Sequence, residues 1–418
     1  MNRIGEYPTV RAIMKTVTLA LTLVCFVCMV HAQEAAESGT TQQEQDFDLP
    51  GEDLASLKGD TGLEMSDFDF AGNPAKSMFS WWPDDLVMAP VPGYSSQLGW
   101  NLTLGGGYFI EPKTAGSESP PSIIGGFVMG AENGSYAYGA GANLHLYDDK
   151  LRIKAGAAYF DLRYRFYGIG NDFGDLGIGI DIEQNGPMYF GSASWRVWKK
   201  LYLGLGYLSS EVENGLRVDI PDIDLPDLPP LIDPPINVSV AAVSVPIEYD
   251  SRDHEQFPRN GWLVKGRGML YRESVGSDFD ADTFKISANY YHPMRERDVL
   301  ATRVVFRTTS GDAPFFLLSS IGGSTDLRGY PGGRYRDRMM YAMQSEYRWQ
   351  FSDRWIFTGF AGFGEVASNI SDFGDNLLPA TGVGARFVLS AKHRVSLSAD
   401  VAWGEDGGEF YFGVGEAF

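Results

Sequence analysis

The stretch Leu151-Arg-Ile-Lys-Ala-Gly-Ala-Ala-Tyr-Phe-Asp-Leu-Arg-Tyr-Arg-Phe-Tyr167 alternates with a period of two, and this pattern decides the fold class. A second stretch, Arg394-Val-Ser-Leu-Ser-Ala-Asp-Val-Ala-Trp403, repeats it near the end of the chain. Alternation places one set of side chains on each face of a β-strand. In a soluble sandwich the apolar faces would meet in a core. In a membrane barrel they would meet lipid, and the polar or glycine-rich faces would line the lumen.

The length of these segments favours the barrel. They run over about 10–15 residues, whereas globular strands average about 5–6 residues and barrel strands need about 9–11 to cross a membrane. Short turns such as Arg295–Asp298 alternate with long loops such as Gly311–Arg338, as in outer-membrane barrels. Five tryptophans near the predicted strand ends fit an aromatic girdle rather than a soluble core: Trp195, Trp198, Trp262, Trp349 and Trp355. We therefore predict an all-β fold, a transmembrane antiparallel β-barrel.

The number of strands follows from the same alternation, which marks fifteen segments between residues 98 and 418. Single-chain bacterial barrels normally have an even number of strands. We therefore expect about sixteen. The missing strand lies either inside 178–197, split at Asn185-Gly186, or before Gly93.

The N-terminal region has a different pattern. An apolar run over residues 16–30 follows Arg11 and Lys15 and ends in Val30-His-Ala32. This order is typical of a secretory signal peptide, and a buried helix or membrane anchor is the alternative. Residues 33–85 are acidic and polar without a sustained period. We expect three regions: a signal peptide over 1–32, an acidic disordered periplasmic leader over 33–85, and an outer-membrane β-barrel over 86–418.

Composition argues against several classes of function. The formal charge of −20 argues against a nucleic-acid partner, because phosphate binding relies on clustered Lys and Arg. Both cysteines, Cys25 and Cys28, lie in the expected signal peptide, so the exported chain would have no disulfide. The four later histidines are scattered, without a nucleophile motif or metal-ligand spacing: His145, His254, His292 and His393. We therefore expect no enzymatic activity, no catalytic residue, no cofactor and no metal.

Four segments in the second half of the chain resemble one family. They are Tyr249-Asp-Ser-Arg-Asp253 with Pro258-Arg-Asn-Gly261, then Ile321-Gly-Gly-Ser-Thr-Asp-Leu-Arg-Gly-Tyr330, Gln344-Ser-Glu-Tyr-Arg348 and Gly415-Glu-Ala-Phe418. Their order and spacing resemble the bacterial surface antigen barrel of the outer-membrane assembly factors, the BamA-like and TamA-like proteins. The resemblance implies a barrel in the bacterial outer membrane. Because residues 33–85 are too few for a folded periplasmic domain, we expect a barrel-only member.

The resemblance also implies a loop motif that folds back into the lumen. Its residues are Asp326, Leu327, Arg328, Gly329 and Tyr330. A guanidinium in a lumen must be paired, because its desolvation is otherwise uncompensated, and Glu346 is the candidate partner of Arg328. The family's second acid is expected within Phe360–Gly364, where this sequence has glycine, and Glu365 lies one step off that pattern. An exposed loop arginine without a partner is the alternative.

The last strand carries a separate pattern. Tyr411, Phe412 and the final Phe418 are typical of the C-terminal signal by which barrel-assembly machinery recognises its clients, and an ordinary last strand is the alternative. We expect as partners the lipid bilayer with its lipopolysaccharide, that machinery for insertion of this chain, and a periplasmic protein. We expect no nucleic acid.

Three functions fit these features. The first is an assembly factor that helps to insert or translocate protein or lipid at the outer membrane, using the seam between the first and last strands. The second is a passive or selective channel. The third is a structural surface antigen without transport. The loop motif favours the first, and the other two stay open.

Overall fold

The computed structural model of this chain describes residues 85–112, 119–177, 179–217, 237–254, 257–390, 395–405 and 407–418. Within them, sixteen strands form a closed antiparallel barrel, which confirms the predicted fold and strand number. The predicted signal peptide and all but the last residue of the leader lie outside the described residues. No helix in the described ranges is long and apolar enough to span a bilayer.

The elements have the following bounds. The strands are β1 (Leu86–Ser95), β2 (Gly99–Ile110), β3 (Ser122–Ala131), β4 (Tyr136–Leu146), β5 (Leu151–Phe166), β6 (Ile180–Trp198), β7 (Leu201–Arg217), β8 (Asn237–Asp250), β9 (Gly261–Tyr271), β10 (Ala281–Pro293), β11 (Val299–Gly311), β12 (Ser319–Ile321), β13 (Tyr335–Asp337), β14 (Met339–Gln350), β15 (Trp355–Ala367), β16 (Leu378–Ser390), β17 (Val395–Gly404) and β18 (Gly407–Val414). Within the described residues, one α-helix, α1 (Asn171–Leu176), and three 3-10 turns, Glu273–Val275, Phe315–Leu317 and Ile370–Asp372, lie in the connections.

The barrel has two different ends. Each neighbour in the barrel follows its predecessor in sequence, except that β14 follows β11 and β18 meets β1. Strands β12 and β13 form a separate two-stranded ribbon in the connection between β11 and β14. We call the end with this connection the loop end, and the end with turns such as residues 147–150 and 199–200 the turn end.

The outward face of the wall is apolar and exposed. On β7, for example, Leu203, Leu205 and Tyr207 point outward and are 45–62% exposed. The five tryptophans of the predicted girdle lie at the turn end and are 44–60% exposed: Trp195, Trp198, Trp262, Trp349 and Trp355. So large an exposed apolar surface is typical of a barrel whose wall contacts lipid.

The strand missing from the sequence-based count is β1. Segment 178–197 is not split, because β6 runs unbroken through Asn185-Gly186. The other prediction, a strand reaching back before Gly93, is confirmed by β1. Its alternation is hard to see because Pro90 and Pro92 stand among its outward residues, and proline is found only where a strand can spare its amide donor.

One expectation about the lumen is wrong for the loop end of the barrel. On β5, Arg152 and Lys154 share the inward face with Phe160, Leu162 and Tyr164. The last three are buried in an apolar cluster at the loop end. The inward face is therefore polar only toward the turn end, and apolar side chains fill the lumen at the loop end.

Strand length explains this change of polarity. Strands β5, β6 and β7 have 16, 19 and 17 residues, whereas about 9–11 suffice to cross a bilayer. On the outer face of their loop-end halves, charged residues replace apolar ones, and Arg165 Nε donates to Asp181 Oδ1 at 3.0 Å. This part of the wall has a charged outer face and an apolar core inside, as in a soluble β-protein.

This arrangement predicts unequal costs for two leucine truncations. Leu162→Ala should lower the free energy of unfolding by about 2–5 kcal/mol, because it opens a cavity among buried side chains. Leu205→Ala, at an outward position that is 62% exposed, should cost much less. Urea unfolding in detergent measures both, and equal losses would contradict a packed loop-end core.

Candidate functional site

The connection between β11 and β14 folds back into the barrel. Its start, Phe315–Leu317, packs in the loop-end apolar cluster, and β12 pairs with β13. The loop motif lies between these two strands, and all five of its residues are buried. The side chain of Arg328 is fully buried, which rules out the exposed loop arginine considered as an alternative.

Arg328 lies between two carboxylates. Its Nη2 donates to Glu346 Oε2 on β14 at 2.7 Å, and its Nη1 donates to Asp400 Oδ2 on β17 at 2.7 Å. Its guanidinium carbon lies 3.5 Å from the ring centroid of Phe360 on β15. The candidate partner Glu346 thus contacts Arg328, and Phe360 covers one face of the guanidinium as a cation–π partner.

The two carboxylates belong to a larger set of buried charges, which we call the lumenal charge network. It consists of Arg328, Arg348, Arg386, Glu346, Asp400 and Glu416. Arg348 Nε donates to Glu346 Oε1 at 2.8 Å, and Arg386 Nε donates to Glu416 Oε2 at 3.1 Å. Among these six side chains, three cations face three acids.

We call the contacts of Arg328 with Glu346 and Asp400 the arginine clasp. The second acid of this clasp is not where the resemblance placed it. The sequence offered no acid within Phe360–Gly364, and Asp400 on β17 supplies it. Glu365 does not join the clasp. Its carboxylate accepts the backbone amides of residues 374–376 at 2.7–3.1 Å and organises the loop between β15 and β16.

Sequence reasoning missed Asp400, Arg386 and Glu416 as members of the network. Asp400 is the buried residue of an alternating strand, between the outward Ala399 and Val401. An isolated charge at an inward position of a barrel strand was the signal that could have found it.

Gly329 and Tyr330 lock the backbone of the loop against the last strands. Gly329 has φ +118°, and a Cβ there would lie 2.9 Å from the carbonyl carbon of Trp403, so only glycine fits. Its amide donates to the Tyr411 hydroxyl at 3.0 Å, and the Tyr330 hydroxyl donates to the carbonyl of Pro379 at 2.6 Å. The loop is thereby bonded to β16 and β18 as well as to β14 and β17.

Asp326 bonds the loop to β11, the strand that pairs with β14. Its Oδ1 accepts from Arg303 Nη2 at 2.8 Å, and its Oδ2 accepts from Arg307 Nη2 at 2.5 Å, both on β11. Burial would raise the pKa of this loop carboxyl, but the adjacent guanidinium groups lower that pKa well below its ordinary value. Arg328 and Asp326 therefore tie the loop to the stretch of wall that runs from β11 to β17.

The seam between β1 and β18 is the weakest junction in the described barrel. It has one register pair, Tyr94 with Phe412. Every other pair of neighbouring barrel strands runs in register over at least eight residues. Opening the barrel at this seam therefore breaks far less pairing than opening it anywhere else.

The residues of the predicted C-terminal signal lie in three different places. Tyr411 points inward onto the loop motif, and Phe412 forms the seam pair. Phe418 lies beyond the end of β18, packed against Tyr291, Val299 and other residues on the inner wall. Recognition of these residues by assembly machinery stays a prediction. Among the described residues, no group of three or more His, Cys, Asp or Glu could hold a metal ion.

Comparison with known proteins agrees with this geometry. The sequence pattern of the Omp85 superfamily domain matches residues 236–418. This part of the chain is similar to that superfamily domain. The match includes the loop motif and the whole lumenal charge network, and it confirms the resemblance to BamA-like barrels. No curated protein matches the chain in sequence.

Solved outer-membrane barrels share the fold described here. BamA from Haemophilus ducreyi lacking POTRA domains 1–3 is 16% identical, with a TM-score of 0.53 over 79% of this chain and 70% of that one. CdiB from Acinetobacter baumannii and CdiB from Escherichia coli are 12% and 13% identical, each with a TM-score of 0.53. They cover 79% and 80% of this chain, which spans 59% and 63% of theirs.

Removing the loop arginine should destabilise the barrel strongly. Arg328→Ala leaves Glu346 and Asp400 short of a buried cation, and breaking a buried pair costs about 3–5 kcal/mol. The temperature at which the folded band disappears on a semi-native gel should fall. Arg295→Ala, on an exposed turn, is the matched control. An unchanged transition in Arg328→Ala would contradict the clasp.

Asp326→Asn should have an effect that depends on pH. Because the folded pKa of Asp326 is lowered, its contribution is complete above the unfolded value of about 3.9 and is lost as pH falls through the folded pKa. Asp326→Asn should therefore lower stability by about 1–3 kcal/mol at neutral pH. The difference should shrink below about pH 4.

Urea unfolding across pH 3–8 measures this difference, and Asp312→Asn, exposed on the same loop, is the control. A difference that grows as the pH falls would show that the carboxylate is not the stabilising form.

Proposed function

We propose that this chain is an outer-membrane barrel that assists the insertion or translocation of protein or lipid, and that the seam between β1 and β18 is its working part. The observation that carries the proposal is the contrast between one register pair at this seam and at least eight pairs at every other junction of the described barrel. The Omp85 domain and the fold shared with BamA and CdiB support the same class of activity.

The clasped loop supports a role for the seam because it stabilises the wall on the β18 side. The loop is bonded to β14, β16, β17 and β18, the last strands before the seam. With these strands held from inside, breaking the pair of Tyr94 with Phe412 would open the wall without unfolding the rest. Protein or lipid could then pass between lumen and bilayer.

The filled lumen weighs against a passive channel. Apolar side chains occupy its loop end, and the loop motif with the charge network occupies the region beside β14–β18. A water-filled pore needs a polar, open lumen. A purely structural barrel, in turn, gains nothing from a seam weaker than its other junctions.

The proposed setting is the bacterial outer membrane. The exposed apolar wall with its tryptophans fits contact with lipid, including lipopolysaccharide on the outer side. We propose that barrel-assembly machinery inserts the chain and that a separate periplasmic protein delivers its clients. Co-purification of a partner with periplasmic domains would support that assignment.

Locking the seam tests the proposal. Tyr94→Cys/Phe412→Cys places two cysteines directly opposite each other across the seam. In a host that depends on this chain, the disulfide should lower the levels of other outer-membrane barrels or expose phospholipid on the cell surface, and a reductant should restore both. Val304→Cys/Met343→Cys, opposite each other between β11 and β14, is the matched control and should have no effect.

Two results would contradict the proposal. One is a seam disulfide that forms fully and leaves both barrel levels and lipid asymmetry unchanged. The other is a large conductance in planar bilayers that the seam disulfide does not alter, which would favour the channel.

A further inference from the structure

Along β1, the backbone N–H and C=O groups of successive residues face alternately toward β2 and toward β18. The amide of Phe109 donates to the carbonyl of Asp85, the residue just before β1, at 2.8 Å. In an antiparallel ladder, alternate residues bond to the same neighbour. With β1 and β2 in continuous register from Leu86 to Ser95, the odd-numbered residues of β1 bond to β2. The even-numbered residues face β18.

Two of those even-numbered residues are Pro90 and Pro92, which have no N–H to donate. The seam pair is Tyr94 with Phe412. If β18 continued in this register, the next residues facing the seam, Val414 and Glu416, would lie opposite Pro92 and Pro90. The missing donors therefore fall where the last residues of the chain would otherwise pair.

The chain leaves the sheet at this point. The strand β18 ends at Val414, and Gly415 has φ +87°, a conformation that favours glycine. The amide of Gly415 makes a last bond to β17, donating to the carbonyl of Ser396 at 2.8 Å. We call the residues that follow β18, 415–418, the tail.

Two arginines and an apolar cluster on the inner wall bind the tail. Arg348 Nη2 donates to a main-chain oxygen of Phe418 at 2.7 Å, and Arg386 Nε donates to Glu416 Oε2 at 3.1 Å. Both arginines are buried. The Phe418 ring packs with Tyr291, Val299 and Ala301 on β10 and β11. The tail thus completes the lumenal charge network with its own acid.

We propose that Pro90 and Pro92 keep the tail off the seam, so that it occupies the lumen and does not pair with residues 88–92 of β1. This inference concerns the resting state of the barrel and does not rest on the proposed function. The same two prolines make the edge a poor template for an added strand, because two of its five seam-facing residues have no donor. Pro90 and Pro92 then restrict what can bind along the opened edge.

Thiol crosslinking tests where the tail lies. The only native cysteines, Cys25 and Cys28, are replaced by serine in every variant. Ala301→Cys/Ala417→Cys reports the tail in the lumen, because both residues belong to the cluster around Phe418. Met88→Cys/Phe418→Cys reports the tail in the seam, because the extended register places these residues opposite each other. A short bis-maleimide in detergent solution is the probe.

With the prolines in place, the lumen pair should crosslink and the seam pair should not. Pro90→Thr/Pro92→Thr restores two donors and should lower the lumen crosslink about fivefold or more, because a tail in the seam then gains two hydrogen bonds. The seam crosslink should rise in the same background. Pro246→Thr, a strand proline on β8 away from the seam, is the matched control and should change neither crosslink.

Gly415→Val is a second route to the same result. A β-branched residue disfavours the turn at φ +87°, so the lumen crosslink should fall even with both prolines present. The proposal is overturned if Pro90→Thr/Pro92→Thr folds, as judged by its heat-modifiable band, and keeps the lumen crosslink at its original level. It is equally overturned if the seam pair crosslinks with both prolines in place.

Discussion

The buried guanidinium of Arg328 is the constraint on which the rest of the lumen depends. A fully buried cation is costly unless carboxylates surround it, and here those carboxylates come from β14 and β17, far apart along the chain. These acids in turn need Arg348 and Arg386, which bring in Glu416 of the tail. Balance of charge thus ties the loop, the three strands β14, β16 and β17, and the tail into one unit.

The barrel is divided into a strong wall and a weak seam by this arrangement. From β2 to β17 each barrel strand pairs with its neighbours over at least eight residues, and the loop contacts the last of these strands from inside. At the seam, two prolines remove donors from one edge, and a glycine turns the other strand away. The residues that would have closed the seam instead neutralise arginines in the lumen, so a weak seam and a stable clasp arise from the same few residues.

The sequence predicts the strands of the barrel wall better than the contacts that fill the lumen. Alternation over Leu151–Tyr167 predicts a long strand but not which half of it crosses lipid, and the apolar core around Leu162 was therefore missed. Prolines hid β1 because they interrupt the apolar pattern. The motif pointed from Arg328 to Glu346, whereas Asp400 lies in a strand whose place beside the loop depends on closure of the barrel. Contacts that join distant strands through a lumen leave no local pattern in a single sequence.

Coupling between Arg328 and Glu416 measures most directly whether the lumenal charges act as one network. These two side chains interact through Arg348, Arg386, Glu346 and Asp400. A double-mutant cycle with Arg328→Ala and Glu416→Ala, read as free energies of urea unfolding, should give a coupling energy of about 0.5 kcal/mol or more. Additive losses, within about 0.3 kcal/mol, would mean that loop and tail are held independently and would contradict the account.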